Sequence, residues 1–337
     1  MKARHLFSVF ILLFAAQAHS ETTGYLSFEY ANGQEKSHQS LGTFRNPGWG
    51  LIFSQEIASH LDCTAEARFR DVSRLEIEQA YLRVMSSNAF SLKLGLYLVP
   101  FGRYNTFNRP HQTMLVQVPL SVENLFPLSW RDLGILVEGK WSSFFYAAYL
   151  GNGLAESRDL STAQQFKDNN KNKAKGMRLG LSLSRELDIA FSYYGGRYDE
   201  GNQRNLILKG ADLSWISEGF QFISEYTKAE LENPSGFGRG KAEGYYIQFS
   251  LDIQGFRPVG SFQKLKYDDP FHGENFLSSE YGGSGIQQER SRWTVGLVYF
   301  ASQNVLIKVE YEFNREKEVE IKNNLLLVQM ALSWKAQ

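Results

Sequence analysis

Tyr245-Tyr246-Ile247-Gln248-Phe249-Ser250-Leu251-Asp252-Ile253 carries an apolar side chain at every second residue. In an extended chain Tyr245, Ile247, Phe249, Leu251 and Ile253 line one face, while Tyr246, Gln248, Ser250 and Asp252 line the other. Helical spacing would scatter both sets. The same period recurs through the chain. Val305, Ile307, Val309, Tyr311 and Phe313 alternate with Lys308, Glu310 and Glu312. Met177, Leu179, Leu181 and Leu183 alternate with Arg178, Gly180, Ser182 and Ser184, and Leu92, Leu94, Leu96 and Leu98 with Ser91, Lys93, Gly95 and Tyr97. Segments of about ten residues with this pattern are the signature of a transmembrane β-barrel, whose strands meet lipid on one face and the lumen on the other. A soluble sandwich alternates too, but its outer faces carry more charge.

Working outward from these segments, strands are expected at roughly 24–32, 48–59, 62–71, 74–86, 90–100, 131–141, 143–152, 176–185, 188–198, 205–217, 220–230, 243–254, 256–268, 291–301, 304–314 and 324–334, with ends uncertain by about 2–4 residues. The expected fold is therefore all-β, a transmembrane antiparallel barrel of about 16 strands. Tight turns fall near His60, Ser87-Asn88, Ser142, Glu186-Leu187, Glu218-Gly219, Gly255 and Ser302-Gln303. Longer polar stretches fall at 33–47, 101–130, 153–175, 199–204, 231–242, 269–290 and 315–323. Short periplasmic turns with long extracellular loops are the arrangement of an outer-membrane barrel, both termini lying on the short-turn side. The connection at Asp71-Val72-Ser73 is short where a loop is due. Glu76, Glu78 and Arg83 do not fit one alternating register with Leu75, Ile77, Leu82 and Val84, which calls for a bulge or for a strand running beyond the bilayer.

The N-terminus and composition agree with export. Lys2, Arg4 and His5 precede an apolar run from Leu6 to Ala16, and Ala16-Gln17-Ala18 has the small residues of a cleavage site, so residues 1–18 read as a signal peptide and 19–337 as the barrel. No later segment approaches the ~20 apolar residues of a transmembrane helix. The 36 Lys plus Arg balance 36 Asp plus Glu, so no net field selects nucleic acid. Cys63 is the single cysteine, which excludes an internal disulfide. Leu326, Val328, Met330, Leu332 and Trp334 give the last strand an apolar face that closes on an aromatic residue, as many bacterial outer-membrane proteins do; here Lys335-Ala336-Gln337 follow it. Trp141, Trp215, Trp293 and Tyr299 stand where interfacial girdles are expected.

Ala80-Tyr81-Leu82-Arg83-Val84, then Leu94-Gly95-Leu96-Tyr97-Leu98-Val99-Pro100-Phe101-Gly102-Arg103-Tyr104-Asn105, then Trp130-Arg131-Asp132-Leu133-Gly134-Ile135-Leu136-Val137-Glu138-Gly139 resemble the porin group that includes the phosphate-selective porins, in which a strand ending in Gly-x-x-x-x-Pro-Phe-Gly leads into a long loop. The resemblance covers about sixty residues. It implies passive diffusion of small hydrophilic solutes or ions through a water-filled pore in the outer membrane, often in trimers. Phosphate selectivity does not carry over, because no dense ladder of Arg and Lys runs along the expected lumen faces.

A barrel of ~16 strands is too wide for its wall side chains to fill, so another element must narrow it. Loop 101–130 is the longest connection and holds Met114, Leu115, Val116, Val118, Leu125 and Phe126, too apolar for a loop in water. It is expected to fold inward against the wall or to pack at a subunit contact. Candidate constriction residues are Arg103, Arg109, His111 and Glu123, with Arg131 and Asp132 at the loop exit, since rings of charge bias ion passage. The alternative is that Arg103, Arg131 and Asp132 form salt bridges pinning the loop base. Candidate lumen-wall residues are Arg68, Arg70, Lys93, Glu138, Lys140, Arg178, Lys308 and Glu310, with Glu66, Asp212, Glu225, Asp252 and Glu312 as further acids. Mixed signs point to a general pore of weak preference.

No H-E-x-x-H, C-x-x-C, G-x-S-x-G or P-loop pattern is present, so neither an enzyme nor a cofactor is expected. Gly236-Phe237-Gly238-Arg239-Gly240 has no following helix to cradle phosphate, and Asp268-Asp269, His272, Glu274 and Glu280 read as a solvated loop before a Ca²⁺ site. Alongside the diffusion porin stand a closed barrel serving as adhesin, receptor or anchor, whose loops would fill its lumen, and a barrel enzyme needing a Ser–His pair at a rim.

Overall fold

A computed structural model describes residues 20–37, 39–69, 74–272, 289–317 and 320–336. The expected signal peptide, Arg70 and the link at 71–73 lie outside the described residues, as do Glu274 and Glu280. The strands are β1 (Ser20–Gly33), β2 (Thr43–Ala58), β3 (Leu61–Phe69), β4 (Leu75–Ser87), β5 (Phe90–Leu98), β6 (Arg131–Trp141), β7 (Phe144–Gly151), β8 (Ala174–Ser182), β9 (Leu187–Arg197), β10 (Asn205–Ser217), β11 (Phe220–Leu231), β12 (Gly240–Leu251), β13 (Phe256–Asp269), β14 (Arg290–Ser302), β15 (Val305–Glu316) and β16 (Leu325–Ala336). Each strand pairs antiparallel with its neighbours in sequence, and β1 closes on β16 in a register from Thr22↔Ala336 to Gly33↔Leu325. Closure leaves no free sheet edge, the condition for backbone hydrogen bonds to be satisfied in lipid.

Burial is inverted relative to a soluble protein. On β14 Trp293 is 58% exposed and Val295 55%, whereas on β15 Lys308, Glu310 and Glu312 are each 1% exposed. The apolar face of each alternating strand thus points outward and the polar face inward, as a barrel wall against hydrocarbon requires. Short links join β2–β3, β4–β5, β6–β7, β8–β9, β10–β11, β12–β13 and β14–β15, with longer ones at the opposite rim. Left-handed residues such as His60 (φ 68°) and Gly219 (φ 86°) make the short turns.

Two details of register resolve the irregular places. Between β3 and β4 the pairing steps from Glu66↔Gln79 to Ala67↔Ile77, so Glu78 is the extra residue of a bulge. The bulge lets Glu76 and Arg83 share the inner face, because Glu76 pairs with Arg68 and Arg83 with Asp62. β2 begins at Thr43, earlier than alternation alone suggests, and its pairing with β1 steps from Ser27↔Gly48 to Glu29↔Arg45, so β2 carries one residue more than its partner there.

Candidate functional site: the inward loop and the lumen wall

The connection between β5 and β6 turns back into the barrel, and its base explains how. Asn105, fully buried, donates to the carbonyls of Val99 and Trp130 (2.8 Å each) and accepts the Trp130 N–H at 2.7 Å. One side chain thereby ties the two ends of the loop together. Gly102 sits at φ +65°, a conformation that favours glycine, and a Cβ there would lie 2.3 Å from Glu225 Oε2, so that carboxylate would have to shift to admit a side chain. A single 3₁₀ turn (Tyr104–Thr106) and a short helix, α1 (Leu120–Leu125), are the loop's only regular elements.

Loop side chains then complete a core inside the barrel. Phe101, Leu120, Val122, Leu125, Phe126 and Trp130 are buried against Tyr97, Tyr149 and Tyr194 of the wall and against inner residues of β10 to β13, among them Leu206, Leu208, Ala242 and Leu265. Trp130 meets Tyr194 edge-on at 4.9 Å. Inner positions of these strands near the long-loop rim are apolar because they face the loop, not water.

On its polar edges the loop is held by wall side chains. The Gly102 N–H donates to Ser192 Oγ of β9 (3.1 Å), and that of Tyr104 to Glu225 Oε1 of β11 (2.6 Å). Arg109 forms a two-pronged pair with Glu66 of β3 (2.8 and 2.5 Å). Lys308 of β15 donates to Pro110 O at 2.6 Å, while Glu310 accepts the N–H groups of Val116 (2.6 Å) and Gln117 (2.9 Å). Gln263 of β13 accepts the Leu120 N–H at 2.9 Å. The segment leaves from β5 and reaches β3, β9, β11, β13 and β15, so it crosses the lumen. Buried backbone groups need partners, and these carboxylates supply them as strong charge-assisted acceptors.

The remaining candidates fall into place around this frame. Arg103 lies over the Phe107 ring (4.3 Å) and lines a small cavity with Gln221 and Gln248; it forms no ion pair among the described residues. His111 packs on Tyr25 at 5.4 Å, its buried Nδ1 without a partner among the described residues. Burial, reinforced by Arg109 and Lys308, pushes its pKa down to about 4, so the ring is neutral at pH 7. For Arg109 burial works against the charge, and the Glu66 carboxylate outweighs it and holds the guanidinium protonated. Glu123 faces Arg292 at 3.6 Å. At the loop exit Arg131 pairs with Glu76 (2.7 Å) and Glu78 (3.4 Å), and Asp132 accepts the N–H groups of Leu133, Asn152 and Gly153 (2.8 to 2.9 Å).

Along the wall Arg68 touches Asn108 (3.4 Å), Lys93 pairs with Glu138 (2.7 Å), Lys140 donates to Ser182 (3.1 Å), and Arg178 forks onto Asp212. A cavity of about 690 Å³ lies toward the short turns, lined by Arg83, Glu138, Lys140 and Arg178. A second, about 280 Å³, lies between the loop and β1, β2, β3 and β16. Among the described residues no three His, Cys, Asp or Glu side chains cluster as metal ligands. Sequence reasoning missed Asn105, Gln263 and Arg292, and the pairing of Arg45 with Glu29 (2.5 Å). Nothing in local spacing marks them, since each acts on a segment distant in the chain.

Comparison with solved structures agrees with this geometry. OmpT, an outer membrane protein of Vibrio cholerae solved in a trimer form, superimposes with a TM-score of 0.66 at 10% identity, covering 94% of this chain and 99% of that one. The fold is porin-like. OmpF of Salmonella typhi, in complex with daunomycin, gives a TM-score of 0.68 at 11% identity (94% of this chain, 97% of that one). An anion-selective porin from Comamonas acidovorans gives 0.64 at 11% identity (94% and 99%). By sequence, an uncharacterized protein of Aquifex aeolicus is 23% identical over 350 residues, covering 92% of this chain and 78% of its own length. No protein-family model matches the chain.

Proposed function

We propose that this porin-like barrel is a diffusion porin of the outer membrane, exported by its N-terminal signal and passing small hydrophilic solutes or ions without enzymatic chemistry. The observation that carries this reading is the loop tied across a polar-walled lumen beside two cavities. A segment that narrows a wide barrel is how such a channel acquires a size limit. The tightness of the loop makes the pore narrow. Because most wall charges are already paired, its ion preference is weak, and Arg103 is the loop cation best placed to bias it. Arg131 and Asp132 brace the loop exit, whereas Arg109 and Glu123 shape the constriction through the positions they fix. Outer-membrane lipid covers the apolar band, and a homotrimer is the assembly in which the barrel works.

Liposome swelling with graded solutes tests the reading: pentoses and small amino acids are expected to enter and disaccharides to be slowed. Absence of entry by the smallest solute overturns it. That result would favour a second reading, a closed barrel serving as receptor, adhesin or anchor, for which the apolar core around Trp130 within the lumen is the supporting observation. In bilayer recordings Arg103→Ala is expected to alter conductance and cation-to-anion preference. Unchanged values would remove Arg103 from the constriction.

A further inference from the structure

A groove of about 500 Å³ lies across the outward face of β6 to β9, in the wall turned to lipid. Cross-strand pairing explains its shape. One row sets Ile135 beside Leu150, Leu150 beside Lys175 and Lys175 beside Gly195. The next row sets Val137 beside Ala148, Ala148 beside Met177 and Met177 beside Tyr193. Ala148 and Gly195 are the small members of these rows, so their bulkier neighbours stand over a low floor. The Tyr193 ring leans over Gly195, where an added Cβ would lie 2.7 Å from the phenol oxygen. Its hydroxyl therefore sits next to Lys175, and neither side chain has a polar partner among the described residues.

Charge decides what covers the groove. Lys175 stands at the start of β8, on the long-loop rim, and the outward residues below it, Met177, Leu179 and Leu181, are exposed and apolar. The apolar band thus ends at a lysine. The loop that feeds β8 adds Lys167, Lys171 and Lys173, all exposed. Residues 167–175 hold these four lysines and one acid, Asp168, which pairs with Lys173, in a chain whose total charges balance. Glu200 on the next loop is exposed too and leaves the patch cationic. An apolar trough ending in ammonium groups is complementary to a lipid with an anionic headgroup, its chain on the wall and its phosphate at the rim. A zwitterionic headgroup would set its own ammonium against these lysines. A soluble anion would meet the lysines and leave the groove unfilled.

We propose that this groove seats an acyl chain of a phosphorylated lipid from the leaflet on the long-loop side, with Lys175 and Tyr193 holding the phosphate and Lys171 adding charge. The seat needs the barrel to span a bilayer and is independent of the diffusion-porin reading. Native mass spectrometry of the full chain in micelles of neutral detergent tests it, with lipid A carrying two phosphates, dephosphorylated lipid A and phosphatidylcholine as probes. Saturable retention of the phosphorylated lipid is expected, and little of the other two. Lys175→Gln is expected to weaken retention roughly fivefold, the share of one lysine at a charged lipid surface. Ala148→Trp fills the groove with every charge in place and is expected to weaken it at least as much. Val137→Trp serves if Ala148→Trp does not fold. Lys36→Gln removes a like charge from the β1–β2 loop at the same rim and is expected to change nothing. Equal losses in Lys36→Gln and Lys175→Gln, undiminished retention in the folded groove-filling variant, or equal retention of all three lipids overturns the seat. So does the absence of saturable retention by the unsubstituted chain.

Discussion

His111 shows how a single side chain can report the state of the loop. Its ordinary pKa of 6.5 falls to about 4 because burial and the cations Arg109, Lys308 and Arg68 oppose its charge, with Glu66 the one opposing acid. The folded state therefore favours the neutral ring. Stability from this residue is complete above pH 6.5 and is lost as pH falls toward about 4, where the folded ring takes up its proton. His111→Gln, neutral throughout, is expected to flatten the fall in melting temperature across that window relative to the unsubstituted chain. Parallel curves for the two proteins would show that the ring titrates alike in the folded and unfolded states, so that the loop seat does not depress its pKa. Asn105 is the other residue with an outsized share. Asn105→Ala removes the three hydrogen bonds at the loop base; the Val99 and Trp130 carbonyls keep the N–H groups of Phe101 and Val99, but the Trp130 N–H is left buried without a partner. A loss of about 2–4 kcal/mol is expected in urea unfolding followed by tryptophan fluorescence.

At the scale of elements, the loop and the wall are coupled by side chains that sequence alone presents as pore lining. The apolar content of Met114 to Phe126 was enough to predict that this segment leaves water, and it does pack inside. What the sequence could not reveal is which wall residue meets which loop atom. Glu310 lies nearly two hundred residues from the Val116 N–H it accepts, and period-two alternation says only that Glu310 faces inward. The same holds for Glu66, whose side chain is 2% exposed and grips Arg109. Breaking one partner of such a pair strands a buried charge, at a cost of about 3–5 kcal/mol. Arg109→Met and Glu66→Gln are thus each expected to lower stability strongly, and the double variant to cost clearly less than their sum. Additive losses in a double-mutant cycle would mean the pair does not act as a unit.

For the whole molecule, the sixteen strands and their order were legible because one physical demand, lipid outside and polar lumen inside, is written at every second residue. Ends were less legible: β2 starts at Thr43 and β12 at Gly240, in stretches whose small and polar residues read as loop. The bulge at Glu78 was visible as a conflict of register, and pairing resolved which residue is extra. The same demand yields a test of orientation. Val295 stands in the middle of the outward row of β14, between Trp293 and Tyr299, opposite Tyr311 on one side and Gly260 on the other. An arginine there would place its charge in hydrocarbon, costing about 2–4 kcal/mol near the midplane and little near the interfaces. Val295→Arg is expected to show that loss when folding into bilayers is measured against denaturant, with Tyr299→Arg close to neutral at the short-turn rim. Equal, small losses at both positions would mean that water, not lipid, bathes the apolar face, and the inverted burial of the barrel would need another explanation.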